Sequence, residues 1–307
     1  DLGNNMNNTL IGGNQTDIIK GVSGNNSLSG GAGNDTIFAG SGSDTIDGGA
    51  GDDWLDYTDL ASTNVSVNLR NNTATYGSST DSITAIEHLK MGNGTNTVQG
   101  NSYANSFIGG TGTDTLSYSE AASGVTVNVT SAGAGTSSGD GADVFTGFEN
   151  YTLSGNADII NLDVVHNGSI INGGTGIDTA SYANVATALT VTVANGNTSA
   201  TVSDGTNSNT LQSIEKIIGG DGNDTIFGVS GNNLLEGGAG NDLILGGTGN
   251  DTIRGITGNN TLYGKAGNNA ITGGDLTDII YTGIGQDVID GGDGIDTLRF
   301  DGGTQRV

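Results

Sequence analysis

From Gly30 the chain repeats itself every nine residues, as GGAGNDTIF, AGSGSDTID and GGAGDDWLD. Each block carries Asp at its sixth position (Asp35, Asp44, Asp53) and an aliphatic residue at its eighth (Ile37, Ile46, Leu55). A fixed period of this kind marks a stacked array, in which a unit can bury its apolar residue only against its neighbours. The frame runs back through GVSGNNSLS, GGNQTDIIK and GNNMNNTLI, giving six units over 3–56. It returns as three units over 91–117, three looser ones over 153–181 and nine over 219–299. Segment 17–40 closely matches segment 224–247, as expected of an array grown by duplication.

The unit can be read physically. Glycines at its first, second and fourth positions permit positive φ, which makes that half a turn. The last three residues, such as Thr36-Ile37-Phe38, suit a short strand whose middle side chain points inward. Two units, 18 residues, then close one coil of strand, turn, strand and turn. Stacked coils make an all-β, flattened solenoid with two parallel sheets. Its core is expected to be the ladder of eighth positions. These are Leu10, Ile19, Leu28, Ile37, Ile46 and Leu55 at one end, and Ile226, Leu235, Ile244, Ile253, Leu262, Ile271, Ile280, Ile289 and Leu298 at the other. One buried aliphatic contributes about 1.5–3 kcal/mol, whereas ordering each of nine residues costs about 1–2 kcal/mol. Something besides the core must hold the turns.

Composition limits what that can be. The 307 residues include 57 Gly, no Pro and no Cys, and 33 acidic residues face 8 basic ones for a net charge of -25. Such a surface repels phosphate, which excludes nucleic acid as a partner, and its few cations argue against an anionic membrane. No apolar run is long enough to span a bilayer. Without Cys there is neither a disulfide framework nor a thiolate zinc site. Charge and low hydrophobicity alone would suggest disorder, but the repeat order overrides that reading. The chain opens DLGNNMNNTL, with no Met start or apolar signal segment, as expected of a processed, otherwise secreted or excised chain.

Of the 33 acids, 28 are Asp, and many stack at the sixth positions. In the first block one edge carries Asp17, Asp35 and Asp53, and the other Asn8, Asn26 and Asp44. In the last block Asp224, Asp242, Asn260, Asp278 and Asp296 share one edge, and Asn233, Asp251, Asn269 and Asp287 the other. Carboxylates stacked at coil spacing repel one another. A hard divalent cation between them reverses the sign, and Ca²⁺ accepts six to eight carboxylate and carbonyl oxygens in flexible geometry, where Mg²⁺ resists losing its waters.

The pattern G-G-x-G-x-D-x-U-x resembles the RTX (repeats-in-toxin, hemolysin-type) calcium-binding nonapeptide. The resemblance implies a parallel β-roll, calcium between successive turns, folding outside the cell where calcium is met, and type I secretion. It implies side-chain oxygen ligands from Asp17, Asp35, Asp44, Asp53, Asp114, Asp178, Asp224, Asp242, Asp251, Asp278, Asp287 and Asp296. It implies turn carbonyls from Gly31, Gly33, Gly49, Gly51, Gly220, Gly222, Gly238, Gly240, Gly247 and Gly249. Asn stands in for Asp at 8, 26, 96, 105, 233, 260 and 269. Asn233, Asn260 and Asn269 are expected to be weaker ligands, and the Asn8/Asn26 pair a metal-free amide ladder. Counting same-edge pairs with at least one Asp gives about eleven Ca²⁺, whose charge of about +22 nearly cancels that of the chain.

Three β-rich insertions, at 57–90, 118–152 and 182–218, break the array, so the expected order is roll 1–56, insertion, roll 91–117, insertion, degenerate roll 153–181, insertion, roll 219–307. Each insertion begins with a tyrosine (Tyr57, Tyr118, Tyr182). An alternating strand comes next (Val65–Leu69, Val125–Val129, Leu189–Val193). Each ends in a signal of two apolar residues and a glutamate (Ile83/Ile86/Glu87, Val144/Phe148/Glu149, Leu211/Ile214/Glu215). β-hairpins or widened coils are expected there, with the tyrosines covering the core. Their alternative role is a recognition surface, which leaves room for carbohydrate or cell-surface contact.

No HExxH, GxSxG or P-loop is present, His88 and His166 are far apart, and Trp54 lies at an outward seventh position. The chain therefore reads as a non-enzymatic, extracellular, calcium-binding structural protein of the bacterial cell surface. Its repeats run close to both ends of the sequence, so calcium-induced folding is expected to lead to self-association, end to end or lateral, in a surface layer, adhesin stalk or filament. Two other readings stand beside it. One is the repeat module of a secreted RTX toxin or enzyme. The other is an ice-binding adhesin segment, suggested by outward Thr36, Thr45, Thr225, Thr252 and Thr297.

Overall fold

The computed structural model describes residues 6–130, 133–193, 199–228 and 231–300. Its strands pair in parallel with a register of 18: Leu10 lies beside Leu28, Leu28 beside Ile46, and Ile19 beside Ile37. This register comes from the period, because two units carry the chain once around and set eighth position over eighth position. Alternate units feed alternate sheets. Thr9–Gly13, Ser27–Ala32 and Thr45–Ala50 form one, and Ile18–Lys20, Thr36–Phe38 and Trp54–Asp56 the other. The architecture is the expected all-β parallel roll. Some strands exceed three residues, because the glycine pair opening the next unit also joins the ladder, as where Gly31 pairs with Gly49.

Contacts divide the chain into two units, Asp1–Val127 with Ser131–Gly155, and Asn128–Thr130 with Asn156–Val307. In the first, the coil sheets continue past Trp54–Asp56 into His88–Lys90, Ser106–Ile108 and Val144–Thr146. In the second, one sheet runs from Lys216–Ile218 through Leu234–Gly238, Thr252–Ile256 and Ala270–Gly274 to Val288–Gly292. The other runs from Thr225–Phe227 through Leu243–Leu245, Thr261–Ala266 and Ile279–Ile284 to Thr297–Arg299.

The first insertion is an antiparallel meander spliced into a parallel sheet. Ser66–Asn68, Thr73–Tyr76 and Ser79–Thr84 pair in turn. The outer two then resume parallel pairing, with Thr97–Gln99 on one side and Thr45–Ala50 on the other. The third repeats the design with Thr190–Val193, Ser199–Ser203 and Ser208–Gln212. In the second, Gly135–Ser138 runs antiparallel to Val144–Thr146, and Arg70 of the first insertion pairs with the Asp140 carboxylate of the second. Among the described residues there is no α-helix, and Thr58–Leu60 forms a 3-10 turn.

The eighth-position side chains from Leu10 to Leu55 and from Ile226 to Ile280 are buried, as are Tyr57, Tyr118 and Tyr182. Ile289 is half-buried and Leu298 is 47 % exposed, because no described strand covers the far side of Val288–Gly292 or Thr297–Arg299. The glycine positions differ in backbone conformation. Positive φ occurs at second and fourth positions, such as Gly31 (106°) and Gly33 (118°), but not at the first-position glycines Gly12, Gly30 and Gly48. The frame imposes this on other residues too, since Val22, Ile256 and Lys265 at second positions also have positive φ. Backbone conformation therefore does not account for glycine at the first position.

Candidate metal centre

Each sixth-position side chain ties its coil to the one before. The Asp17 amide donates to Asp35 Oδ1 at 2.8 Å, and the Asp35 amide to Asp53 Oδ1 at 2.7 Å. The same bond joins Asn26 to Asp44, Asn96 to Asp114, and Asp224 to Asp242. A second ladder runs the opposite way through the fifth positions. The Asn25 amide donates to Asn7 Oδ1, the Asn241 amide to Asn223 Oδ1, and the Asn250 amide to Asn232 Oδ1. The recurrence of Asn at this position is plain in the sequence, but it assigns no role without the coil register.

The second carboxylate oxygen is left over. Oδ2 of Asp35, Asp44, Asp53, Asp114, Asp178, Asp242, Asp251 and Asp278 is buried with no hydrogen-bond partner. An unpaired carboxylate oxygen away from water is costly, and burial accordingly raises several of these aspartates. Burial pushes Asp242 up to about 7, and Asp114 and Asp178 up to about 6. Asp44, Asp53, Asp224, Asp251 and Asp278 also rise, with burial the largest cause.

Oδ2 of Asp35, Asp53, Asp178, Asp242, Asp251 and Asp278 faces a space that the first-position glycine keeps open. A Cβ on Gly30 would come closer than 3.0 Å to both Asp35 Oδ2 and the carbonyl oxygen of Gly48, one coil on. The same pairing of a carboxylate and a next-coil carbonyl surrounds Gly12, Gly219, Gly237, Gly246 and Gly273. First-position glycine is therefore required for room.

Asn at the sixth position changes the chemistry. Asn26 Nδ2 donates to the Gly24 carbonyl at 2.9 Å, and Asn233 Nδ2 to the Gly231 carbonyl at 2.9 Å. Asn96 Nδ2 faces the carbonyls of Gly92, Gly94 and Gly109, and Asn260 and Asn269 each reach a turn carbonyl at 3.3 Å. Here the amide protons fill the space. Asn8 is bonded to Asn26 Oδ1 through both its backbone and its side-chain nitrogen. Asp17, Asp287 and Asp296 occupy the expected rungs but are less buried; Asp287 Oδ1 accepts from Asn269, and Asp296 Oδ1 from Asp278.

The insertions bring in residues that the nonapeptide frame did not mark. Asp81 and Asp143 take sixth-position rungs, accepting the Asp44 and Asn105 amides. Glu87, Glu149 and Glu215 take others, each accepting through Oε2 the amide of Asp53, Asp114 or Asp178 at 2.8–2.9 Å. The tyrosine hydroxyls close three rungs: Tyr57 donates to Asp81 Oδ2, Tyr118 to Asp143 Oδ2 and Tyr182 to Asn209 Oδ1, at 2.9–3.0 Å. Trp54 stacks on His88 with ring centroids 4.8 Å apart.

Among the described residues no three His, Cys, Asp or Glu side chains converge, so a cation here would rest on one or two carboxylates and several backbone carbonyls. Oxygen donors only, with charge from Asp and carbonyls from open glycine turns, suit a hard ion of flexible coordination, which is Ca²⁺. They do not suit a metal that wants nitrogen or sulfur. No described helix is long and apolar enough to cross a membrane.

A family model of the RTX calcium-binding nonapeptide repeat matches residues 2–21, 20–55, 92–120, 218–253, 254–275 and 277–298, and leaves 153–181 unmatched. No curated protein matches the chain. With more than half of its length in these repeats, and with the buried carboxylates and open glycine turns that calcium needs, the chain belongs to the RTX calcium-binding nonapeptide repeat family.

Proposed function

We propose that this calcium-binding repeat module is an extracellular, non-enzymatic structural protein that folds when it meets calcium. The observation that carries the reading is the set of eight buried, partnerless Oδ2 atoms. Their carboxylates repel one another and each leaves one oxygen without a hydrogen bond, whereas a divalent ion satisfies both needs at once. The acidity is then a folding switch. The chain, at -25, repels itself where calcium is scarce and neutralises where calcium is abundant. The occurrence of RTX repeats in secreted proteins supports the extracellular setting.

The ligands proposed are the sixth-position aspartates, helped by the second- and fourth-position glycine carbonyls. Sites that include Asn233, Asn260 or Asn269 bind more weakly. Self-association into a layer, stalk or filament is a consequence of the parallel register. The strand Thr297–Arg299 is hydrogen-bonded through one side among the described residues, and Leu298 stands 47 % exposed on it, so another strand can add there. Electron microscopy with light scattering tests this step. Filaments or sheets are expected with calcium and dispersed chains with chelator; monomers under both conditions would remove the assembly step.

A further inference from the structure

Each insertion interrupts the nonapeptide but keeps one of its features. Asp53, Asp114 and Asp178 are the last aspartates before the three interruptions on their edges, and each is fully buried with Oδ2 unpartnered. The next rung is no longer an Asp but Glu87, Glu149 or Glu215, held by the bond from Oε2 to the preceding Asp amide. Two residues before each Glu stands Ala85, Gly147 or Ser213, with φ of 50°, 72° and 49°. The carbonyl of each lies against the preceding first-position glycine, Gly48, Gly109 or Gly173, closer than 3.0 Å to where a Cβ would be. At Gly48 and Gly173 the same space holds Asp53 Oδ2 and Asp178 Oδ2. Gly48 O and Asp35 Oδ2 meet at Gly30 in the same arrangement. These turns thus present the same oxygens as a repeat turn, with the longer Glu taking the place of Asp.

We propose that Asp53 with Glu87, Asp114 with Glu149, and Asp178 with Glu215 form three further divalent-cation sites, which carry the ion ladder across the interruptions. The inference rests on the calcium-binding function proposed for the repeats and adds ions that the nonapeptide pattern does not count. It also separates the two kinds of rung in each insertion. The Glu rung leaves the preceding Asp oxygen open to a cation, whereas the tyrosine rung fills its acceptor with a hydroxyl proton.

The test is the calcium isotherm of the full chain, by equilibrium dialysis, for wild type, E87Q, E149Q, E215Q and the triple variant. Gln keeps an oxygen for the Asp amide but loses the charge. One ion is expected to bind more weakly in each single variant and about three in the triple, with β content by circular dichroism retained in calcium. A wild-type isotherm in the single variants overturns the proposal. If the triple variant does not fold, terbium serves as the probe for the singles. Trp54 is the only tryptophan; it comes directly after Asp53 and stacks on His88, the neighbour of Glu87. Emission of terbium sensitised by Trp54 should fall in E87Q and stay unchanged in E215Q, and equal emission in both overturns the first site. A wild-type chain that binds no calcium at all overturns the underlying reading as well, which distinguishes the two failures.

Discussion

Asp44 and Asp81 are successive rungs on one edge, joined by the bond from the Asp44 amide to Asp81 Oδ1. Both are buried, yet their second oxygens differ. Asp44 Oδ2 has no partner, whereas Asp81 Oδ2 accepts the Tyr57 hydroxyl at 2.9 Å. The difference traces to a tyrosine. Within the repeats the first position is mostly Gly, which leaves the space beside the carboxylate open. At the insertions the Tyr57 and Tyr118 hydroxyls donate to Asp81 Oδ2 and Asp143 Oδ2, and that of Tyr182 to Asn209 Oδ1. One solution needs an ion from outside; the other is complete within the chain. Under the proposed function calcium completes the repeat turns, whereas the tyrosine rung needs no ion of its own.

The largest effect should come from closing an open turn. Gly30→Ala places a Cβ against Asp35 Oδ2 and the Gly48 carbonyl. The usual gain from replacing Gly, about 0.4–1 kcal/mol, is outweighed by a clash with backbone, and a loss above about 4 kcal/mol is expected. Gly77→Ala is the control, since nothing lies within 4 Å of its Cβ position; there only the positive φ of 56° is penalised, at about 1–2 kcal/mol. Melting in calcium measures both. Equal losses would mean that the first-position space is not occupied by anything the fold needs.

Tyr57→Phe attacks the other side of the comparison. It strands Asp81 Oδ2 in a buried site, at a cost of about 1–3 kcal/mol. In calcium, the amide hydrogens of Ser79–Thr84 should exchange faster in the variant than in wild type. No change in exchange would show that the hydroxyl does not substitute for an ion.

How far the sequence reveals all this depends on spacing. The core ladder and the sixth-position aspartates are legible because a strict period of nine fixes both register and facing. The Asn ladder at the fifth position is visible but mute, since its bonds run between residues 18 apart, as from Asn25 to Asn7. The first-position glycines are conspicuous yet suggest the wrong cause, because room and positive φ leave the same mark in a sequence. Asp81 and Glu87 stand only six residues apart, so they fall out of the frame. Tyr57 and Asp81 are separated by the meander, and only the fold brings hydroxyl and carboxylate together.

Acid offers a subtler test of the contrast. Burial raises Asp242 to about 7 and Asp178 to about 6 from 3.8, so the metal-free folded form holds protons that the unfolded chain releases. Its stability is then greatest below the ordinary carboxylate value and is lost as pH rises towards about 7. In chelator, acidification from neutrality should increase β structure, whereas in limiting calcium it should expel the ion by protonating its ligands. β content by circular dichroism against pH in each buffer checks this, and matching slopes would contradict it.

The smallest expected change is a gain. Asn260→Asp restores a charged rung between Asp242 and Asp278 and removes the amide that reaches the Gly258 carbonyl. Calcium affinity depends on ligand charge, so calorimetry should find tighter binding in that block with little change in the fold. Unchanged affinity would show that Asn260 already serves as well as Asp.

The central claim is that calcium completes the repeat turns. Far-UV circular dichroism of the full chain during a calcium titration from excess chelator tests it most directly. A cooperative rise from a coil-like to a β-rich spectrum is expected, reversed when chelator is restored. A chain equally β-rich in excess chelator would contradict the account.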